Sequence, residues 1–411
     1  MKCENVDKAA TPLRGYLCPR IHVHQNSKAS LHRCPRILRL GNEFSGMNMP
    51  SLSLRNMNVK HVAEFDTDKA PSCRAFCKQI IGSKIINSDI TARSVHDLPA
   101  VDFYHFSPPC QPYALDGSRL GTDDERSQLW KHSMEYIKVH KPRLVSYEMV
   151  RTILFKKFRP ELVKLVRCMR KVGYKVHLKV INTMDHGIPH DRRRLYMVAS
   201  RKWKRKFSWP KPVPLKYTCD DIIKTRTQTD NPGRLPPRSN TISGRRRRLL
   251  VKTSFRFLLK QRIDPRVRKV FTDIGCSTYR GRPGTGLEVL PSMTATRAAV
   301  RDWWVSTRGS RITTAELFQF QGLEAKHWKM WKKTTGIAAG RMRHMLGNSL
   351  SCNVAERVFG RALWCAGLVS EQPKDRWEPD YEIVVISDVD EDDHQGSELA
   401  NWDDLASSEN E

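Results

Sequence analysis

The sequence predicts an α/β fold, a parallel sheet with helices on both faces, with a smaller domain inserted. From Ile37 onward, short apolar runs alternate with amphipathic stretches, and strand–helix alternation of this kind builds parallel sheets. After Ser200 the composition turns abruptly basic, with 22 Lys/Arg against 4 Asp/Glu over residues 201–270, which breaks the alternation. A chain of 411 residues exceeds what one core usually supports and fits a large domain plus a smaller one.

The apolar runs place strands at 37–44, 59–65, 84–87, 101–106, 143–148, 174–183 and 194–199, with helices near 69–80, 128–140 and 156–172. Helical periodicity returns at Ala315–Gly322 and after Asn348, so the final helix is expected to pack back on the first domain. The expected organisation is a basic segment 1–36, a catalytic sheet domain 37–204, an inserted domain 205–310, a returning segment 311–369 and an acidic tail 370–411 whose composition predicts disorder.

Charge divides the chain. The net charge is +29, yet residues 371–411 hold 15 Asp/Glu against 2 Lys/Arg, leaving +42 on residues 1–370. A body that basic points to a polyanion as partner. The 11 cysteines form no C-x-x-C pair, which suggests reduced thiols and an intracellular setting. No apolar run is long enough to span a membrane. The Arg-rich, acid-poor start leaves an organelle transit peptide open. Cys18, His22, His24, His32 and Cys34 fit no zinc-finger spacing, so no metal is expected.

Chemistry concentrates after the strand 101–106, in Phe106-Ser107-Pro108-Pro109-Cys110-Gln111-Pro112-Tyr113. The prolines fix φ and remove backbone donors, making a stiff loop that aims Cys110 outward from the end of its strand. Glu148 ends the next strand in Ser146-Tyr147-Glu148-Met149-Val150, and Arg192 and Arg194 lie in Gly187-Ile188-Pro189-His190-Asp191-Arg192-Arg193-Arg194. Taken singly, the bland readings are a turn with a buried cysteine, a surface carboxylate and a solvated basic turn.

Together with Thr313-Thr314-Ala315-Glu316, Phe320-Gln321-Gly322-Leu323 and Gly347-Asn348-Ser349, these segments in this order resemble the motifs of the DNA (cytosine-5) methyltransferases, over about residues 37–200 and 290–366. The resemblance implies a Rossmann-like S-adenosylmethionine-dependent methyltransferase sheet with an inserted target-recognition domain, and DNA (cytosine-5-)-methyltransferase activity. Cytosine C5 is a poor nucleophile, so a thiolate must first add at C6. The resemblance gives that role to Cys110, hydrogen bonding at ring N3 to a Glu148 protonated through burial, and the O2 edge of the base to Arg194 and Arg192.

For the cofactor S-adenosylmethionine the resemblance implies a loop at Phe44, Ser45 and Gly46, a ribose acid at Glu64, an adenine stack on Phe65, and further contacts from Asp89, Ile90, Pro109, Leu129, Asn348 and Ser349. Asn48 and Met49 depart from the family's glycines; Asn visits positive φ readily. Met149 stands where the family has Asn and His190 where it has Gln.

A thiol cannot reach C6 of a stacked base, so the target must be flipped or unpaired. Arg245, Arg246, Arg247 and Arg248, with seven more Lys/Arg up to Lys269, suit phosphate contacts or nuclear import, and Thr313 joins them by resemblance. DNA is the expected partner. RNA, the substrate of one branch of the family, remains an alternative, although that branch's Cys-Phe-Thr tripeptide does not occur here. A non-catalytic binding scaffold is a third reading, supported by Met49 and Met149. In the tail, Ile383–Ile386 followed by Ser387 and acids resembles a SUMO-interaction motif, which implies a nuclear setting.

Overall fold

A computed structural model describes residues 37–114, 124–224, 229–276 and 284–379. The N-terminal segment 1–36, with its His/Cys set, and the β-branched run and acids of the tail lie outside the described residues.

Seven strands form the main sheet: β1 (Leu38–Glu43), β2 (His61–Thr67), β3 (Ile85–Asn87), β4 (Phe103–Phe106), β5 (Leu144–Val150), β6 (Lys175–Asn182) and β8 (Arg193–Ser200), in the order β3-β2-β1-β4-β5-β8-β6. The two-residue β7 (His190–Asp191) lies outside it. All seven expected strands are present, but the sheet is mixed: β8 runs antiparallel to both β5 and β6. Only a short connection joins β6 to β8, too short for the helical crossover that parallel neighbours need, so the chain returns as a hairpin.

The helices cover both faces. On one lie α3 (Trp130–His140) and α4 (Arg159–Lys171), packed on Tyr104, Phe106, Val145 and Tyr147. On the other lie α1 (Met49–Asn56) and the late helix α11 (Cys352–Cys365), with Phe359 meeting Phe103 edge-on at 5.2 Å. Nearly every residue of α11 is buried, so the last motif segment is built into the first domain's core, as its periodicity led one to expect. The expected helix over 69–80 is α2 (Pro71–Phe76), whose Pro71 occupies the first turn, continued by a π-helical turn Cys77–Ile81.

The inserted region carries α5 (Cys219–Ile222), the 19-residue α6 (Ile242–Lys260) and a four-stranded antiparallel sheet of β9 (Val270–Asp273), β10 (Thr285–Leu287), β12 (Trp303–Val305) and β13 (Ser310–Arg311), while β11 (Leu290–Pro291) pairs with β7. Helices α7 (Ala295–Val300), α8 (Thr314–Phe320), α9 (His327–Thr335) and α10 (Ala339–Asn348) lead back to α11. Trp303 and Trp304 are buried, and Trp203 and Trp209 pack against the main core. Phe271, Leu290, Met293 and Trp303 belong to the same apolar cluster as Leu38 and Phe103 of the main sheet, so the insert is welded to the sheet domain by a continuous core. Among the described residues no helix is long and apolar enough to cross a membrane.

Candidate active site

Strand order reverses between β1 and β4, the place where an open α/β sheet leaves a crevice at its carboxyl edge. The loop after β1 (Phe44-Ser45-Gly46) and the loop after β4 (Ser107 to Tyr113) therefore emerge side by side, and the Ser107 amide donates to the Glu43 carbonyl at 3.4 Å.

Cys110 sits half-buried in the second loop. A turn just after it, with the Tyr113 and Ala114 amides donating to the Cys110 carbonyl at 3.0 and 2.9 Å, and the Thr152 hydroxyl donating to the Tyr113 carbonyl at 2.7 Å, pin the loop down. Beneath it Met149 is buried and lines, with Pro108, Pro109 and Tyr113, a small apolar cavity. Met149 thus gives the loop a hydrophobic floor where the family has an amide.

Glu148 lies in β5, nearly buried. Its Oε2 accepts from the Ser107 hydroxyl at 2.8 Å, and the same hydroxyl reaches the Glu148 carbonyl at 3.2 Å. Its Oε1 faces Arg194 Nε at 3.3 Å; Arg194 is on β8, opposite Val150 in register. Burial pushes the Cys110 thiol up from its ordinary value, Arg194 pulls it down, Glu148 pushes it up again and Arg192 pulls it down. Cys110, Glu148 and Arg194 therefore share one electrostatic neighbourhood, as expected from their order in the sequence.

Arg192 is placed differently from expectation. Its side chain is buried, and its guanidinium donates to the carbonyls of Met293, Gly347 (3.2 Å) and Ser349 (2.7 Å). His190 works beside it: Nε2 accepts from the Met293 amide at 3.1 Å, and Nδ1 faces the Phe320 carbonyl at 2.9 Å. Met293 is thus gripped at both backbone groups. Arg192 is a strut joining the inserted region and the α10–α11 turn to the site: its two terminal nitrogens are spent on backbone carbonyls, while its Nε is buried without a partner among the described residues. Arg192 falls in the break between β7 and β8; pleat alternation would set residues two apart on one face, and this break lets Arg192 and Arg194 part around an exposed Arg193.

At the cofactor end, Phe44, Gly46 and Asn48 all have positive φ, 56°, 54° and 44°. Asn48 does so as the N-cap of α1, its Oδ1 accepting from the Ser51 amide at 3.0 Å, so it replaces glycine in conformation as well as in position. Met49 is buried in the first turn of that helix. The Ser45 hydroxyl bonds the Thr67 carbonyl at 3.0 Å and the Gly46 amide donates to Asp68 at 2.8 Å, while a side chain added at Gly46 would meet nothing within 4 Å. The loop presents an open backbone face. Asn42 Oδ1 and Thr67 Oγ1, buried at the ends of β1 and β2, have no hydrogen-bond partner among the described residues. An open cradle beside orphaned polar groups fits a polar ligand at this edge.

Two expected cofactor contacts move. Phe65 is fully buried, packed on Tyr136 at 5.1 Å and lying directly under Gly41, where any Cβ would strike its ring at 2.4 Å. It is core and cannot stack on a ligand. Glu64 is tied to Arg39 and Lys84, each at 3.0 Å, and sits where the β1–β2 register slips. That bulge and the two further residues of β2 make Asp66, not Glu64, the acid at the strand's carboxyl end. Asp66 is buried, accepts from Asn48 Nδ2 at 2.9 Å and from Ser83, and burial pushes it up to about 6. β2 runs to Thr67, two residues past the apolar run that ends at Phe65, which places Asp66 at the strand end and under the Asn48 amide.

Asp89 is held by the Thr91 amide and hydroxyl at 2.9 and 2.8 Å, Ile90 is buried beside it, and Leu129 precedes α3. Asn348 ends α10 exposed, and the Ser349 hydroxyl caps the Met345 carbonyl at 2.9 Å. A further buried pair was not foreseen: Arg93 meets Glu43, whose other oxygen accepts from Ser133 at 2.7 Å and from Tyr104. It ties the Asp89–Ile90 loop to the end of β1. Among the described residues no cluster of His, Cys, Asp or Glu could hold a metal.

The basic cluster opens α6. Arg245, Arg246 and Arg248 donate to the carbonyls of Asn240 (2.9 Å), Cys276 and Pro236 (2.6 Å), so part of their donor capacity holds the module's own loops. Thr313 is the N-cap of α8 in a capping box with Glu316, which accounts for its residue type without a ligand.

Among curated relatives, the chain is 32% identical over 160 residues to the type II methyltransferase M.MthTI of Methanothermobacter thermautotrophicus and 26% over 196 residues to M.HhaI of Haemophilus parahaemolyticus, covering 39% and 47% of this chain. The matches span only 48% and 59% of those relatives' lengths. Among solved structures, the methyltransferase EhMeth of Entamoeba histolytica (TM-score 0.52, 16% identity, 80% of this chain and 98% of that one) and Dnmt2 of S. pombe (0.53, 17%, 80% and 98%) share the fold. Residues 39–364 match the C-5 cytosine-specific DNA methylase family, and the chain belongs to that family.

Proposed function

We propose that the chain methylates C5 of cytosine in DNA, with S-adenosylmethionine as the methyl donor. The observation that carries this reading is the grouping of Cys110 on a proline-braced loop with Glu148 and Arg194, next to an open backbone cradle one strand away.

In this reading the Cys110 sulfur, as thiolate, bonds to C6 of a flipped cytosine while Glu148 hydrogen-bonds ring N3 and Arg194 the O2 edge. C5 becomes nucleophilic because the ring's electron density moves onto it. The donor supplies an electrophilic methyl group when bound. Loss of the C5 proton then expels the thiolate and restores aromaticity. The residues that would hold the donor are Phe44, Ser45 and Gly46 through their backbone, Asp66 or Asp68 at the end of β2, and Asp89, Ile90, Pro109, Leu129 and Ser349 around them. The basic insert supplies phosphate contacts. The finer setting we propose is nuclear, with Ile383–Ile386 offered to SUMO or a SUMOylated partner; loss of SUMO binding in Val384→Ala with Ile386→Ala tests it.

Trapping decides the chemistry. Duplexes of DNA and of RNA carrying 5-fluorocytosine are incubated with the full chain and donor: a covalent adduct with the DNA, absent in Cys110→Ser, is expected. An adduct with RNA alone moves the substrate to RNA, and no adduct with either polymer leaves a binding scaffold.

A further inference from the structure

The long helix α6 shows solvent a face that nothing described covers. Along it stand Ile242, Arg245, Leu249, Lys252, Arg256 and Leu259, at alternating steps of three and four, the spacing of a single helical stripe. Its aliphatic members are strongly exposed, Ile242 at 79%, Leu249 at 57% and Leu259 at 54%, while Val251, Phe255 and Leu258 on the other side are buried. The helix holds seven Lys/Arg and no Asp/Glu. Lys252, Arg256 and Lys260 have no ion pair among the described residues. The three aliphatics interleave with cations along one stripe, a pattern complementary to a partner that is both apolar and acidic.

This chain contains such a partner. Residues 380–411 carry 12 Asp/Glu and no Lys/Arg, and the β-branched run Ile383–Ile386 directly precedes Asp388, Asp390, Glu391, Asp392 and Asp393. The point from which this segment starts is fixed. Arg357, wholly buried, binds Asp375 at 2.6 Å and Glu378 at 3.3 Å. Arg376 binds Glu356 at 2.7 Å, the Trp377 indole donates to Glu356 at 2.6 Å, and Lys216 holds the Arg376 carbonyl. Trp377 meets Tyr217 edge-on, two residues before α5. From there contacts run through Cys219 and Glu288 to β9, and Thr272 of β9 bonds Ser254 of α6 at 3.1 Å. A 32-residue segment reaches roughly 100 Å when extended, against a radius of gyration of about 20 Å for a folded body of this length, so reach is not limiting.

We infer that the acidic segment 380–411 docks on the exposed face of α6, its β-branched run against Ile242, Leu249 and Leu259 and its acids against the Lys/Arg, and competes there with nucleic acid. Tethering gives the segment an effective concentration of order millimolar, so modest affinity suffices. It acts as a built-in polyanion that filters weak, non-specific duplex contacts while a tighter target displaces it. The inference rests on the proposed function only for the identity of the competitor.

Zero-length carbodiimide cross-linking of the dilute full-length chain tests it directly. Amide links between Lys252 or Lys260 and acids of 388–393, found within one chain when isotopically heavy and light protein are mixed, are expected. No such links, or links only between heavy and light chains, overturn it. In parallel, full-length protein with Asp388→Asn, Asp390→Asn, Glu391→Gln, Asp392→Asn and Asp393→Asn is expected to bind a mixed-sequence 20-base-pair DNA duplex about five-fold more tightly than wild type near 50 mM salt, the gain vanishing near 0.5 M as screening closes in. Adding Lys252→Gln, Arg256→Gln and Lys260→Gln should erase that gain. Unchanged affinity overturns the competition. Cross-links without any duplex binding would count against the proposed function and leave the docking standing.

Discussion

The Ser107 hydroxyl is bonded to Glu148 twice, at the carboxylate (2.8 Å) and at the backbone carbonyl (3.2 Å), so the loop bearing the nucleophile and the strand bearing the acid are held as one unit. Pro108 and Pro109 cannot donate to anything, which leaves Ser107 as the last residue before Cys110 able to make this link. With Met149 below contributing packing alone, the polar coupling falls to Ser107.

Ser107→Ala is therefore expected to slow adduct formation on a 5-fluorocytosine duplex by up to about ten-fold, since a hydrogen bond is worth about 0.5–1.5 kcal/mol net and 1.4 kcal/mol is a factor of ten. Ser107→Thr, which keeps the hydroxyl, should stay within about three-fold. Equal losses in both would mean that the loop's packing, and not the bond, matters.

Cys110 gives a pH prediction. Burial raises its pKa, so the free protein holds it mainly as thiol at neutral pH, and the reactive thiolate grows only as pH climbs beyond the ordinary thiol value of 9.0. Peptide-resolved iodoacetamide labelling of Cys110 should keep accelerating above pH 9. Arg194→Gln, which removes the strongest influence pulling the pKa down, should slow labelling at every pH below that range. A plateau near pH 7 would show a thiolate already formed in the resting site.

Arg192 is expected to matter to stability rather than to the base. Arg192→Ala takes a donor from the Met293 and Gly347 carbonyls, each costing on the order of 1–3 kcal/mol if unsatisfied, while the Ser349 carbonyl keeps Gln321 Nε2 at 2.8 Å, and it loosens the insert's grip at Met293. A loss of about 2–4 kcal/mol in denaturant unfolding is expected. A variant as stable as wild type would contradict the strut.

These residues also mark how far sequence reasoning reached. The seven strands and three early helices were legible because apolar periodicity reports local backbone, whereas the short helix α1 was not legible; Cys110 and Glu148 follow from the carboxyl ends of β4 and β5, and Arg194 reaches the same edge because it opens β8, which runs antiparallel to β5. What escaped was register. One bulge at Glu64 shifts which acid lies at the end of β2, and the break between β7 and β8 decides that Arg194 meets Glu148 while Arg192 meets the α10–α11 turn. A hairpin return of β8 needed the length of the β6–β8 connection weighed against a crossover. Nothing local in Ser107 or Arg93 announces a partner 41 or 50 residues away.

Asp66 offers a last test, through linkage. Its pKa is raised to about 6 from 3.8, so between those values the native state holds a proton that the unfolded chain has lost. Stability from this group therefore falls as pH rises from about 4 to 6 and is level above. Between pH 5 and 7.5 the loss integrates to about 1.4 kcal/mol. Asp66→Asn cannot titrate, so its stability relative to wild type should improve by about that amount over the same interval, read as urea midpoints at both pH values. The absolute stability of the variant carries the separate cost of re-pairing Asn48 and Ser83, which is why the difference between the two pH values, not either value alone, tests whether this buried acid at the end of β2 keeps its proton up to about pH 6.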